Sequence, residues 1–348
     1  MKKKNPFTIT FGIRPDNYIS RLSQSEEIIS SFENNTNNVF MITGVRGSGK
    51  TALLTHISEY FDEKNDWAVI ELISEADLLD QLASKLYDMG LFHKIFNGKT
   101  FGFSFQGLSF SIKGEKPVTN VVSLIEILLE KIQKKKKVLI CVDEAVNNTY
   151  MKPFVQTIQL LLRKRYPIYI LMTGLYQNLY DLQNNDSLTF LYRAPKINLE
   201  PLNIQAIASE YRNVFKIEDK EAIELAYFTK GYAYAYQVLG YLLYENNKNK
   251  IDNKILSLFD QYVQDYVYDK IWSELSGNDK KVLLAIDTDE PVQVENIMNK
   301  VSMDKRSFSV YRDRLIKRGL LASPEHGKLI LKLPRFYEFL ELQSYQLR

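Results

Sequence analysis

The chain is poor in the residues that build covalent or metal frameworks. Its 348 residues include one cysteine, Cys141, and three histidines, His56, His93 and His326. A lone thiol excludes a disulfide framework within one chain and suits a reducing compartment. No His/Cys cluster with metal-ligand spacing is readable, and no motif pairs Ser or Cys with His for nucleophilic catalysis. Long hydrophobic runs are also missing: none approaches the roughly 18 residues needed to cross a bilayer. The basic amino terminus, MKKKNPFTIT, lacks the apolar stretch of a secretory signal. No membrane partner is expected, and the chain is read as cytoplasmic. A large excess of one charge is absent too. With a formal net charge of +3, a nucleic-acid surface has to come from local clustering.

What is present is the composition of an ordinary soluble protein, long enough for two or three domains and a sizeable core. Its most informative stretch is Gly44-Val45-Arg46-Gly47-Ser48-Gly49-Lys50-Thr51, which fits the phosphate-binding P-loop pattern G-x-x-x-x-G-K-S/T. Residues 38–43 (NVFMIT) read as a buried strand before it and residues 51–61 as an amphipathic helix after it. The glycines let successive N–H groups turn inward, and the helix start adds its positive dipole end. The expected cradle for ATP or ADP runs from Gly44 to Ala52. Lys50 reaches the β- and γ-phosphates, and the Thr51 hydroxyl ligates Mg²⁺.

A second chemical strand is KVLICVDE, residues 137–144. Its continuous apolar run is that of a central strand covered on both faces, and it ends in two carboxylates. This is the Walker B pattern: Asp143 for Mg²⁺, Glu144 to orient and deprotonate the attacking water. A third strand, residues 168–172, ends at Thr173-Gly174. Thr173 has two open readings, a contact to the γ-phosphate or attacking water and a plain strand cap.

Strands alternate with helices up to about residue 199, which predicts a parallel sheet between helices. Residues 91–116 interrupt it with two alternating apolar runs around Gln106-Gly107, an expected β-hairpin that either packs on its own domain or meets a partner. Residues 202–276 read as wholly helical, with helices expected at 203–215, 220–229, 234–244 and 254–274. The tyrosine-rich 231–244 is read as core rather than as a stacking platform. Residues 277–348 read as three helices and a β-hairpin, the winged-helix pattern. Ser302 is the expected N-cap of the third helix and Gly319 its stop. That helix carries Lys305, Arg306, Arg312, Arg314, Lys317 and Arg318. Facing outward, they suit duplex DNA; the alternative is a solvated face turned to a protein partner.

With these motifs in place, the chain resembles the bacterial and archaeal P-loop ATPases of the AAA+/STAND border region, with replication initiators as more distant relatives. The resemblance implies an α/β parallel-sheet P-loop NTPase core (1–201), a helical lid (202–276) and a C-terminal winged-helix domain (277–348). Asn5-Pro6-Phe7 and residues 21–28 are similar to the family's leading segment. Residues 188–202 are similar to a segment in which an arginine, here Arg193, contacts the γ-phosphate in cis or from a neighbouring subunit. A nucleotide-dependent homo-oligomer follows from that use; a structural ion pair is the alternative. One departure stands out. Such lids carry a sensor-2 arginine or a Gly-x-Pro, and Gly231-Tyr232-Ala233 has neither. The expected activity is Mg²⁺-dependent ATP hydrolysis driving lid and winged helix. The alternative is a nucleotide-gated DNA- or protein-binding switch with negligible hydrolysis. A kinase fits the tail and Glu144 less well.

Overall fold

The computed structural model describes residues 4–10, 12, 14–89, 120–185 and 188–346. The expected hairpin at 91–116 lies outside them. Packing sorts the chain into two units: 22–43 with 53–198, and 1–21 with 44–52 and 199–348. The sequence draws its first boundary at 201; packing sorts the P-loop residues with the helices beyond it.

The first unit is built on five parallel strands: β1 (Val39–Thr43), β2 (Trp67–Ile73), β3 (Lys137–Asp143), β4 (Ile168–Gly174) and β5 (Lys196–Asn198), in the order β2-β3-β4-β1-β5. All seven residues of β4 are buried, as a strand covered on both faces requires. Alternate residues divide the sheet's two faces. Met41, Ile70, Ile140, Val142 and Ile170 belong to one apolar cluster. It also takes in the buried faces of α3 (Leu78–Asp88), α4 (Val121–Ile132) and α5 (Met151–Arg163). The intervening positions meet an aromatic group shared with α1 (Leu22–Glu33) and α2 (Lys50–Asp62). There Phe32 lies 5.5 Å from Phe40 and 5.3 Å from Tyr169, and Trp67 lies 4.1 Å from Phe61. A short helix, α6 (Tyr176–Gln183), follows β4.

The second unit is helical: α7 (Ile204–Phe215), α8 (Asp219–Phe228), α9 (Ala233–Glu245), α10 (Asn253–Val263), α11 (Asp269–Ser273), α12 (Gly277–Leu284), α13 (Val294–Val301), α14 (Lys305–Lys317) and α15 (Phe336–Gln346). Strands β6 (Val292–Gln293), β7 (Leu321–Ala322) and β8 (Lys328–Leu331) form an antiparallel sheet in the order β6-β8-β7. Tyr232, Tyr234 and Tyr236 are buried, so the tyrosine-rich stretch is core. The leading segment docks here: Phe7, 2% exposed, lies 5.6–5.8 Å from the rings of Tyr211, Phe215 and Tyr236. A Cβ on Gly240 would stand 2.4 Å from the Phe7 ring, so that position admits only hydrogen.

Three local expectations are corrected. Ser302 is not the N-cap of α14; it ends α13 with φ +52°, and Asp304 caps α14 by accepting from the Arg306 and Ser307 N–H groups. A carboxylate placed to take two amides there does the work expected of the hydroxyl. The single helix expected over 254–274 is broken by a π turn at Gln264–Tyr268. Helix α15 was unexpected. Phe336, Phe339, Leu340 and Gln343 form its buried face, and Phe336 lies 5.0 Å from Tyr268. Among the described residues, no helix is long and apolar enough to cross a membrane.

Candidate active site

The P-loop leaves the carboxyl end of β1 and enters α2. Gly47 and Gly49 have φ +74° and +92°, conformations that strain any L side chain. A Cβ on Gly44 would meet Ser48 Oγ at 2.6 Å. The Ser48 N–H closes a turn on the Val45 carbonyl at 3.1 Å. The Lys50 ammonium donates to the Gly44 and Val45 carbonyls at 3.1 and 3.0 Å. Ser48 Oγ is buried with no hydrogen-bond partner among the described residues. A closely drawn backbone, an ammonium and an unsatisfied hydroxyl fit a phosphate ligand.

Three successive loop carbonyls are held from outside the loop. The Tyr232 hydroxyl donates to the Arg46 carbonyl. The Tyr234 N–H donates to the Gly47 carbonyl at 3.1 Å, and Arg21 Nη2 to the Ser48 carbonyl at 2.9 Å. Arg21 also donates to the Glu200 carbonyl at 2.6 Å. Burial pushes the Tyr232 hydroxyl well above its usual range, which keeps it protonated and donating. None of this is legible in the sequence, because no local pattern pairs a tyrosine with a loop carbonyl 186 residues away.

In the sheet unit, register aligns the strand tips: Ile42 with Thr173, Thr43 with Gly174, Val142 with Met172. β4 lies between β1 and β3. Ligands of open parallel sheets bind at these carboxyl ends. Thr173, fully buried, donates its hydroxyl to the Asp143 carboxylate. It also accepts the Glu144 N–H at 3.2 Å, and that N–H lies 3.1 Å from Asp143 Oδ1. Glu144 has φ +50° and an exposed side chain, a strained setting for a residue with a Cβ. Two residues the sequence did not single out hold this turn. Ser74 Oγ donates to the Glu144 carbonyl at 3.0 Å, and Asn148 Nδ2 to the Ser74 carbonyl at 2.8 Å. The only signal for Ser74 is its place just after β2, beside the Walker B strand.

Residues 19–179 match a family described as an ATPase domain predominantly from Archaea. The match takes in the P-loop and the strand that ends in Asp143 and Glu144. Residues 265–340 match a domain of unknown function. The Walker-type ATPase of Pyrococcus abyssi is similar at 15% identity and a TM-score of 0.66, with 94% of this chain and 97% of that chain covered. The ORC2 protein of Aeropyrum pernix, in ADPNP–ADP complexes, is similar at 13% identity and TM-score 0.59, with 98% of each chain covered. The Cdc6p protein of Pyrobaculum aerophilum is similar at 15% identity and TM-score 0.50, again with 98% of each covered. At these identities the likeness is one of fold. No curated protein matches the chain.

The remaining residues singled out in the sequence are dispersed over the ATPase domain and the region beyond it. Thr51 and Ala52 lie half-buried in the first turn of α2. Arg193 is exposed at the end of a 3-10 turn, Thr189–Arg193, ahead of edge strand β5. On α14 the six basic residues part ways. Lys305, Arg306 and Lys317 are exposed. Arg312 pairs with its neighbour Asp313 at 2.8 Å. Arg314 turns inward to buried Asp279 at 2.7 Å and to Ser276 at 2.9 Å. Arg318 lies 3.4 Å from the Glu274 carbonyl.

Proposed function

We propose that this protein is a Mg²⁺-dependent ATP hydrolase whose nucleotide cycle moves the lid and a C-terminal winged-helix domain, through which it acts on duplex DNA. Lys50 and the loop N–H groups bind and orient the phosphates. Thr51 and Asp143 are the Mg²⁺ ligands on offer, and the metal would neutralise phosphate charge. Glu144 takes the proton of the attacking water, and Thr173 holds Asp143 and the Glu144 backbone for that task. Arg193, at an exposed sheet edge, suits delivery to a neighbouring copy's nucleotide better than to its own, which favours a nucleotide-dependent oligomer.

The observation that carries the coupling is the contact of the P-loop with the far end of the chain. Arg46 pairs with Glu274 at 3.2 Å. A Cβ on Gly319, just past α14, would lie 3.4 Å from Val45. The loop read as holding phosphate therefore lies beside the end of the helix read as DNA-facing, with Glu274 between Arg46 and Arg318. The ADPNP–ADP complexes of the Aeropyrum pernix relative support the choice of nucleotide.

A protein partner is the second reading. Exposed Val310 and Asp313 share the α14 surface with Arg306 and Lys317, and a carboxylate there opposes phosphate. The test is ATP turnover with and without duplex DNA, with Glu144→Gln as control. Turnover raised by DNA and abolished in the variant supports the first reading. Turnover abolished in the variant but indifferent to DNA supports the second. No turnover with tight ATP binding overturns hydrolysis and leaves a nucleotide-gated switch.

A further inference from the structure

We propose that Tyr232 is a positioning residue of the phosphate loop, through which the lid acts on the loop's backbone instead of reaching the phosphates with an arginine. This rests on the ATPase reading above. A trans peptide is planar, so its C=O and N–H point in opposite directions. Holding the Arg46 carbonyl on the Tyr232 hydroxyl turns the Gly47 N–H away from the lid. Holding the Ser48 carbonyl on Arg21 turns the Gly49 N–H the same way with respect to its own donor. Phosphate loops bind through such inward N–H groups.

The lid gains from the same contact. Tyr232 stands at the N-cap of α9, and its side chain does not cap that helix. The Tyr234 N–H is one of the first-turn donors that a helix leaves unsatisfied. Its acceptor is the Gly47 carbonyl, at 3.1 Å. The P-loop thus caps the lid helix while the lid orients the P-loop. The fit is close: a Cβ on Gly47 would stand 2.3 Å from the Tyr232 hydroxyl and 3.0 Å from Tyr234 Cβ. Tyr232 is 5% exposed, so its ring also fills space, and its hydroxyl makes the hydrogen bond to the loop.

The test is Tyr232→Phe, which keeps the ring and removes one donor. Calorimetry should show affinity for ATP and for tripolyphosphate falling by the same factor, about fivefold to tenfold, the value of one buried hydrogen bond. KM for ATP should rise with kcat unchanged at saturation, as for an interaction made equally in ground and transition states. Hydrogen exchange of the nucleotide-free protein reads the loop without any ligand. Amides in residues 44–52 should exchange faster in the variant, while those of α8 and α12 keep the parent rate. Unchanged exchange in 44–52 overturns the positioning role, whatever nucleotide does. Loss of ATP affinity with tripolyphosphate unaffected also overturns it, because the effect then lies at the base or ribose. A parent protein that binds no ATP ends the ATPase reading instead, and exchange still decides the role of Tyr232.

Discussion

The Thr173 hydroxyl donates to the Asp143 carboxylate from the neighbouring strand and, on its other side, accepts the Glu144 N–H. One buried hydroxyl thereby sets both the carboxylate read as a metal ligand and the backbone that aims the carboxylate read as the base. Thr173→Val keeps the shape and removes the hydroxyl. Turnover should fall roughly tenfold or more, as for loss of a hydrogen bond to a charged group. The Mg²⁺ concentration for half-maximal activity should rise with it. A magnesium titration of variant and parent checks this.

Lys50 and Glu144 should separate binding from chemistry. Lys50→Ala removes the ammonium at the mouth of the loop, so ATP affinity and turnover should both be lost. Glu144→Gln leaves the loop intact, so ATP should bind as in the parent while turnover falls by about 10²–10⁴, the usual contribution of a general base. Equilibrium binding and single-turnover assays side by side give the answer.

Arg314 and the exposed basic residues of α14 should behave as different kinds of residue. Asp279 is 1% exposed and pairs with Arg314. Arg314→Ala strands a buried carboxylate and should destabilise the protein by about 3 kcal/mol, seen in urea unfolding. Lys305→Ala and Arg306→Ala should leave stability unchanged. If α14 meets DNA, each should reduce the slope of log affinity against log salt by about one.

Cys141 offers a probe of unfolding. It is 1% exposed on β3, and burial pushes its thiol well above the usual range. It is protonated and shielded at neutral pH, so a thiol reagent should label it only as fast as the sheet opens. Labelling should accelerate in step with global unfolding as denaturant is added.

Much of the ATPase core was legible because it is written locally. Strands β1, β3 and β4 are continuous apolar runs, since a central parallel strand is covered on both faces. The P-loop glycines are readable because positive φ demands glycine. Helix α15 escapes the sequence reading although its buried positions recur at helical spacing; they follow the hairpin that completes the winged-helix pattern. The inward turn of Arg314 was missed for another reason. Its partner Asp279 lies on α12, and helix periodicity says which face a residue is on but not which charge waits there.

By itself, then, the sequence determined the alternation of strands and helices in the core, the phosphate loop and the pair of carboxylates at the end of β3, because burial period and backbone conformation are properties of short segments. Only the tertiary structure decided that β4 stands between β1 and β3, that Ser74 and Thr173 hold the Glu144 turn, and that the Tyr232 hydroxyl meets the Arg46 carbonyl. Those relationships join residues far apart in the chain. They depend on strand order, register and helix placement, which no single segment encodes.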